Sequence, residues 1–219
     1  MVIKKKKPTF LEAEIIEIIT PSKLENKVPY QRISGAPYIS LSINDQRSMK
    51  EQVSFDVYKR IGKIEHIETL YDEWIPSPSP HHYRNKMEFS FSSNRWVLES
   101  EPEGVDKSFA LGLHIPRRFD KILDIDKCHI QPKIGNKILE AVKKKCKENT
   151  NLKPYNPRTH IGFLRHLMIR YGFNTNQIMV NIVTAYEDIE KLEPSVKILK
   201  NDIPEVTTII NNINTKKAD

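Results

Sequence analysis

With 219 residues, 38% of them hydrophobic, the chain can bury the core of one domain or of two small ones. It has no run of 18 apolar residues, which excludes a membrane-spanning helix on the usual length criterion. The excess of 35 Lys and Arg over 28 Asp and Glu gives a net charge of +7, a surface that attracts polyanions such as nucleic acid.

The N-terminus is basic, but Lys4–Lys7 is followed by Pro8, Glu12 and Glu14 rather than an apolar signal core. Cys128 and Cys146, the two cysteines, show no pairing pattern, so a reduced, cytoplasmic setting is expected. Lys4–Lys7 reads as a solvated tail ahead of a strand over Phe10–Ile19. Pro21–Pro37 is irregular, broken by Pro29, Gly35 and Pro37. Asn44 or Asp45 caps a helix running to about Arg60, with Met49, Val53 and Val57 as its apolar stripe and Gly62 at its end. Ile75–Pro80 is a Pro/Ser-rich loop.

Tyr83–Ser92 carries a clear period of two. Tyr83, Asn85, Met87, Phe89 and Phe91 fall on one face, and Arg84, Lys86, Glu88, Ser90 and Ser92 on the other, wet face. Further strands are predicted around Trp96 and over Ser108–His114. A helix follows from Lys133 to about Asn149, with Lys143, Lys144, Lys145 and Lys147 suited to the dipole of its last turns. Strands over Phe163–Arg170 and Ile178–Ala185, a helix from about Ile189 to Asn201 and a strand over Thr207–Asn214 close the chain. The fold class is α+β, an antiparallel or mixed sheet with packed helices.

Between Glu148 and Glu187 no acidic residue occurs, while Lys153, Arg158, His160, Arg165, His166 and Arg170 do. This places a positive field over two predicted strands. Arg165 shares its predicted face with Phe163, Leu167 and Ile169 and so needs a partner, either a structural ion pair or a phosphate or base. Arg84 and Lys86 either reach one polyanion together or pair with Glu88 and neighbouring strands. With 7 glycines, no Gly-rich turn joins a strand to a helix. The histidines show no metal-ligand spacing, so no metal site is expected. Cys146 reads as a lone surface thiol and Cys128 as an inert buried one, and no catalytic residue can be named.

The segment Tyr83-Arg84-Asn85-Lys86-Met87-Glu88-Phe89-Ser90-Phe91 resembles the central-domain motif of RNA (uracil-5-)-methyltransferases, most closely the 23S ribosomal RNA branch. Leu111–Pro116, Phe119–Ile125, Cys128, His160–Arg170 and Ile209–Lys216 resemble that family's later segments in the same order, so the resemblance covers about residues 40 to 216, with a weaker stretch at the start. It implies that residues 1–20 hold a remnant strand of an N-terminal RNA-binding barrel and that 21–219 form the central domain. The implied parent reaction transfers a methyl group from S-adenosylmethionine to uracil C5. In the family a further, C-terminal domain binds that cofactor and supplies the cysteine nucleophile and general base, and no residue here inherits those roles. Lys27, Ile33 and Ala36 stand where cluster-bearing members have three cysteines, leaving Cys128 alone, so the iron–sulfur cluster is expected to be lost. What the resemblance passes on is contact with RNA, ribosomal by analogy, through Arg84, Asn85, Lys86, Arg165, His166 and Arg170. The chain then reads as the RNA-facing part of an enzyme completed by a separately encoded methyltransferase domain, as a non-catalytic RNA-binding module, or as a degenerate, truncated remnant.

Overall fold

The computed structural model describes residues 1–28, 31–98, 101–116 and 118–217; Pro29, one of the expected breakers, and Asp219 lie outside them. The chain divides into two units, Met1–Pro29 with Tyr38–Ile75 and Tyr30–Pro37 with Pro76–Asp219.

In the first unit β1 (Val2–Lys6) and β2 (Leu11–Glu14) form an antiparallel pair closed by the Lys7 amide on the Phe10 carbonyl. Lys4–Lys6 are thus solvent-exposed, as expected, but lie in a strand rather than a tail, and the expected strand over Phe10–Ile19 covers only Leu11–Glu14. The unit's helix, α1 (Ile43–Arg60), is capped by Ser42 rather than Asn44 or Asp45. Ser42 Oγ accepts from the Asp45 amide at 3.1 Å and donates to the Asp45 carboxylate at 2.5 Å, a cap two to three residues earlier than the acidic signal suggested. Met49, Val53 and Val57 are exposed, and no residue of α1 is buried. The left-handed residue after the helix is Lys63, at φ 57°, not Gly62.

The second unit is built on a mixed seven-stranded sheet. In chain order its elements are β3 (Lys86–Ser92), β4 (Arg95–Trp96), β5 (Ala110–Ile115), β6 (Arg118–Asp124), α2 (Lys133–Glu148), β7 (Leu164–Gly172), β8 (Gln177–Thr184), α3 (Ile189–Asp202) and β9 (Thr208–Ile213). The strand order is β4-β6-β5-β3-β7-β8-β9; the β4–β6 and β8–β9 pairs are parallel and the rest antiparallel. This is the α+β architecture expected from the sequence. The sequence pattern had not singled out β6.

One sheet face carries the core. Met87, Phe89 and Phe91 from β3, Leu167 and Ile169 from β7, and Ile178, Val180 and Ile182 from β8 pack with Ile138, Leu139 and Val142 of α2 and Leu192 and Leu199 of α3. The period of two read in β3 is thus the burial pattern of a strand covered on one side. The strand begins at Lys86, however, so Tyr83 is exposed instead of joining that apolar row.

Candidate nucleic-acid interface

The face of the sheet opposite α2 and α3 takes the alternate residues. Lys86, Glu88 and Ser90 of β3 stand beside Arg170, Met168 and His166 of β7, in register Lys86↔Arg170, Glu88↔Met168 and Ser90↔His166. Two cations directly opposed across an antiparallel pair repel one another. Lys86 is offset by Glu88 at 3.4 Å, a pair 44% exposed on both sides, so solvent screens most of its attraction. No ion pair holds Arg170 among the described residues, and it is exposed. The acid-free stretch supplies all of β7 and β8, so this face has few local counter-charges.

Arg165 does not lie in phase with Leu167 and Ile169. The β7–β8 register slips between Leu164 and His166, a bulge that re-aims the extra residue. Arg165 is 3% exposed. Its Nη1 donates to the carbonyls of Asn214 and Lys216, at 3.1 and 2.5 Å, and its guanidinium lies over the Tyr155 ring, 4.3 Å from the centroid. Main-chain carbonyls and an aromatic face thus occupy the side chain for which sequence reasoning left an ion pair or a phosphate open.

Arg84 and Asn85 precede the strand. The Arg84 guanidinium turns to Met87 Sδ, 3.8 Å away, so Arg84 and Lys86 do not form the two-cation row that alternation suggested. Asn85 gives its carbonyl to the Tyr171 amide. The six expected contact residues therefore fall into three places. Lys86, His166 and Arg170 share the second sheet face, Arg165 lies beneath it, and Arg84 and Asn85 sit at the start of β3.

Around His166 the structure assembles groups that no sequence signal marked. The Ser90 hydroxyl is 3.1 Å from His114 Nε2 on β5 and 3.2 Å from His166 Nδ1 on β7. They line a cavity of about 120 Å³ with Asp120, Tyr155 and Arg165. Asp120 is 7% exposed; Arg158 meets its Oδ2 at 2.9 Å and Arg118 its Oδ1 at 3.5 Å. Burial pushes the Asp120 carboxyl up, but the Arg158 hydrogen bond and the two guanidinium charges outweigh it and hold the group below the usual carboxylate range. Ser90 is mid-strand, with ladders to β5 and β7 on either side.

Cys146 is buried on α2, not a surface thiol, and burial pushes it up to about 12. Cys128 is buried with its thiol raised for the same reason, while Asn136 bonds both its amide and its carbonyl. Two buried, separate thiols do not fit a four-iron cluster. No group of His, Cys, Asp and Glu among the described residues could hold a metal ion. The strand-to-helix connections after β6 and β8 contain no glycine, so they do not fit the phosphate- or adenosine-cradling turn of a cofactor domain. No helix is long and apolar enough to cross a membrane, among the described residues.

No family model matches the chain. It is 34% identical to an uncharacterised RNA methyltransferase of Chlorobaculum tepidum, over 98% of this chain and 46% of that protein. Proteins described in the same words from Porphyromonas gingivalis and Bacteroides thetaiotaomicron are 32% and 34% identical, over 99% of this chain and 48% and 49% of theirs. The chain thus spans about half the length of the curated relatives it matches. Among solved structures, the Pyrococcus abyssi tRNA (uracil-54, C5)-methyltransferase, determined in complex with S-adenosyl-L-homocysteine, superposes with a TM-score of 0.57 at 21% identity, covering 93% of this chain and 41% of that one. That likeness is one of fold.

Proposed function

We propose that residues 1–219 are the RNA-contacting part of an RNA methyltransferase system in which the methyl donor, S-adenosylmethionine, is bound by residues outside this stretch. The target is uracil C5, in ribosomal RNA, and the setting is the cytoplasm. Two lines support the reading. The proteins that the chain matches over nearly its whole length are described as RNA methyltransferases. The observation that carries it is the second sheet face, where Lys86 and Arg170 oppose each other beside His166 with little acid to neutralise them.

Lys86 and Arg170 serve as phosphate contacts, which position an RNA without reading its sequence. Arg165 supports the loop and strand around His166 from below, and Arg84 and Asn85 extend the contact past the end of β3. The proposal requires RNA binding that weakens with salt. Removing one phosphate contact should flatten the slope of log K against log salt by about 0.7 to 0.9. K86Q/R170Q should therefore lose affinity for all RNAs and flatten that slope by nearly twice as much. Equal retention of RNA and an uncharged polymer by the unaltered chain would overturn the reading. A contiguous apolar core weighs against a degenerate remnant, since decay erodes packing before surface charge.

A further inference from the structure

A larger cavity, about 590 Å³, opens at the end of the sheet where β3 stops and β5 and β7 begin. Its size falls within the roughly 300 to 1,000 Å³ of small-molecule sites. Phe109 just before β5, Cys146 near the end of α2, Leu152 and Ile161 give it a largely apolar lining. The loop before β7 walls it and is fixed by its own backbone. The Phe163 and Leu164 amides both donate to the Lys153 carbonyl, the Tyr155 amide to the Leu164 carbonyl and the Asn156 amide to the Ile161 carbonyl. The cavity is thus formed before any guest arrives.

Its groups suit one nucleotide. Lys147 and Lys153 line it and are exposed. The Lys147 ammonium lies 5.6 Å from the centre of the Phe109 ring and 4.0 Å from the Asp124 carboxylate, too far for a hydrogen bond, so it keeps donors for a phosphate. Asp106 is the acidic residue of the lining, and the Ser108 amide donates to it at 2.8 Å. Asn149 accepts the Asn151 amide through its side-chain oxygen at 3.1 Å, which leaves its NH₂ for the polar edge of a base. Ile161 is 70% exposed although it lines the cavity, an apolar surface that a base would cover. A bare phosphate would leave the apolar wall uncovered, and an apolar guest would leave the two ammoniums unused; a nucleotide satisfies both. Cys146 is buried with its thiol pushed up to about 12, so it offers no thiolate for covalent chemistry on that guest.

We propose that this cavity receives one unpaired nucleotide of the bound RNA, its base against the apolar wall and its phosphate on Lys147 and Lys153, as an anchor distinct from the uridine that is methylated. The proposal rests on the RNA-binding reading above and adds to it a preference for unpaired RNA. Ser93, which lines the cavity, is seven residues from Lys86, roughly 23 Å at strand rise. An RNA that touches Lys86 and Arg170 at one end of β3 therefore reaches the cavity at the other. A base already unpaired enters at least cost, whereas a paired one must first be opened.

The test measures affinity by fluorescence anisotropy at fixed ionic strength for two RNAs with the same number of phosphates, a hairpin with a loop of unpaired uridines and a blunt duplex. The unaltered chain should bind the hairpin about tenfold more tightly. T150W, which puts a bulky ring at the cavity, and K147Q/K153Q should each bring the hairpin down to the duplex level and change duplex affinity by less than about twofold, with thermal melts confirming that both variants fold. K86Q/R170Q should weaken both RNAs and keep their ratio. Equal affinity of the unaltered chain for the two RNAs, a ratio that survives both T150W and K147Q/K153Q, or equal losses for both RNAs in K147Q/K153Q would overturn the nucleotide seat and leave salt-dependent RNA binding standing. Uridine monophosphate that competed at the hairpin's own concentration would make the cavity a mononucleotide site and overturn the assignment to RNA. Loss of all salt-dependent binding overturns the functional reading itself.

Discussion

Lys143 is one of four lysines near the end of α2, and the run by itself suggests only a cation-rich helix terminus. The structure separates it from its neighbours. Its ammonium is 2.8 Å from Asp124, 3.0 Å from Asp126 and 3.1 Å from the Ile125 carbonyl, with the Lys143 and Asp124 side chains 11% and 10% exposed. Removing one partner of a buried pair strands the other, which costs about 3 to 5 kcal/mol. K143M should therefore lower stability in urea denaturation by about 3 kcal/mol, whereas K144M should stay within about 0.5 kcal/mol. The distinction was illegible in the sequence because it depends on which side of the helix faces the end of β6. His129 poses the same problem of reach. It is 4% exposed, its ring 5.9 Å from that of His81. Burial, then the charges of His81 and His82, push its pKa down. A histidine depressed in the folded state is protonated more readily in the unfolded chain, so its contribution is present above pH 6.5 and is lost as pH falls below that value. Carboxylates held low, such as Asp120 and Glu101, weaken the fold only at more acidic pH. The melting temperature should thus drop between pH 6.5 and 5, and H129Q should drop less across that window; an equal decline in both would refute the assignment.

The elements differ in how openly the sequence declares them. Alternation marked β3 because a strand buried on one side must alternate, and α2 was marked by Ile134, Ile138, Ala141 and Val142 along its length. The bulge at Arg165 left no such trace. Arg165 looks like part of an odd-numbered row until the slip between Leu164 and His166 turns it toward Tyr155 and the carbonyls beyond β9. The Ser90 cluster was hidden for a related reason, since its partners lie 24 and 76 positions away and meet only through sheet order. The loop before β7 depends on Gly162, at φ 124°, where an added Cβ would lie 2.2 Å from the Pro154 carbonyl oxygen. That contact is with backbone and cannot be relieved by a side-chain rotation. G162A should cost more than about 2 kcal/mol through combined clash and strain, read as a fall in melting temperature. G104A, at φ 83° with nothing within 4 Å of the added Cβ, has no clash to add and should cost clearly less. Similar losses in the two variants would mean that the close approach at Gly162 is not what the loop needs.

At the scale of the molecule, α+β was legible because strand-like and helix-like periods are interspersed, but the sheet order was not, since β3 pairs with β5 and β7 rather than with its nearest neighbour in sequence. The two units also differ in how they are held. Ile39 is the one buried side chain among the described residues of the first. Its helix α1 relies on local contacts: the Ser42 cap, the Lys59–Glu68 pair, the Tyr71–Glu51 hydrogen bond and the edge-to-face packing of Phe55 on Tyr71 at 5.1 Å. Each is worth about 0.5 to 2 kcal/mol at most, and most helical stability in proteins comes from packing an apolar face, whereas no residue of α1 is buried. β7 and β8, by contrast, carry Leu167, Ile169, Val180 and Ile182 into the core and are flanked by strands on both sides. Native-state hydrogen exchange should therefore resolve two levels of protection. Amides of α1 should exchange through openings of about 1 to 3 kcal/mol that barely respond to urea, while those of β7 and β8 should exchange only with global unfolding and share its urea dependence. K143M, which acts inside the second unit, should lower protection in β7 and β8 by its full stability cost and leave α1 unchanged. If α1 instead proved as protected as β7, or followed K143M downward, the stability of the helix would have to come from the sheet's core and the separation of the two units would fail.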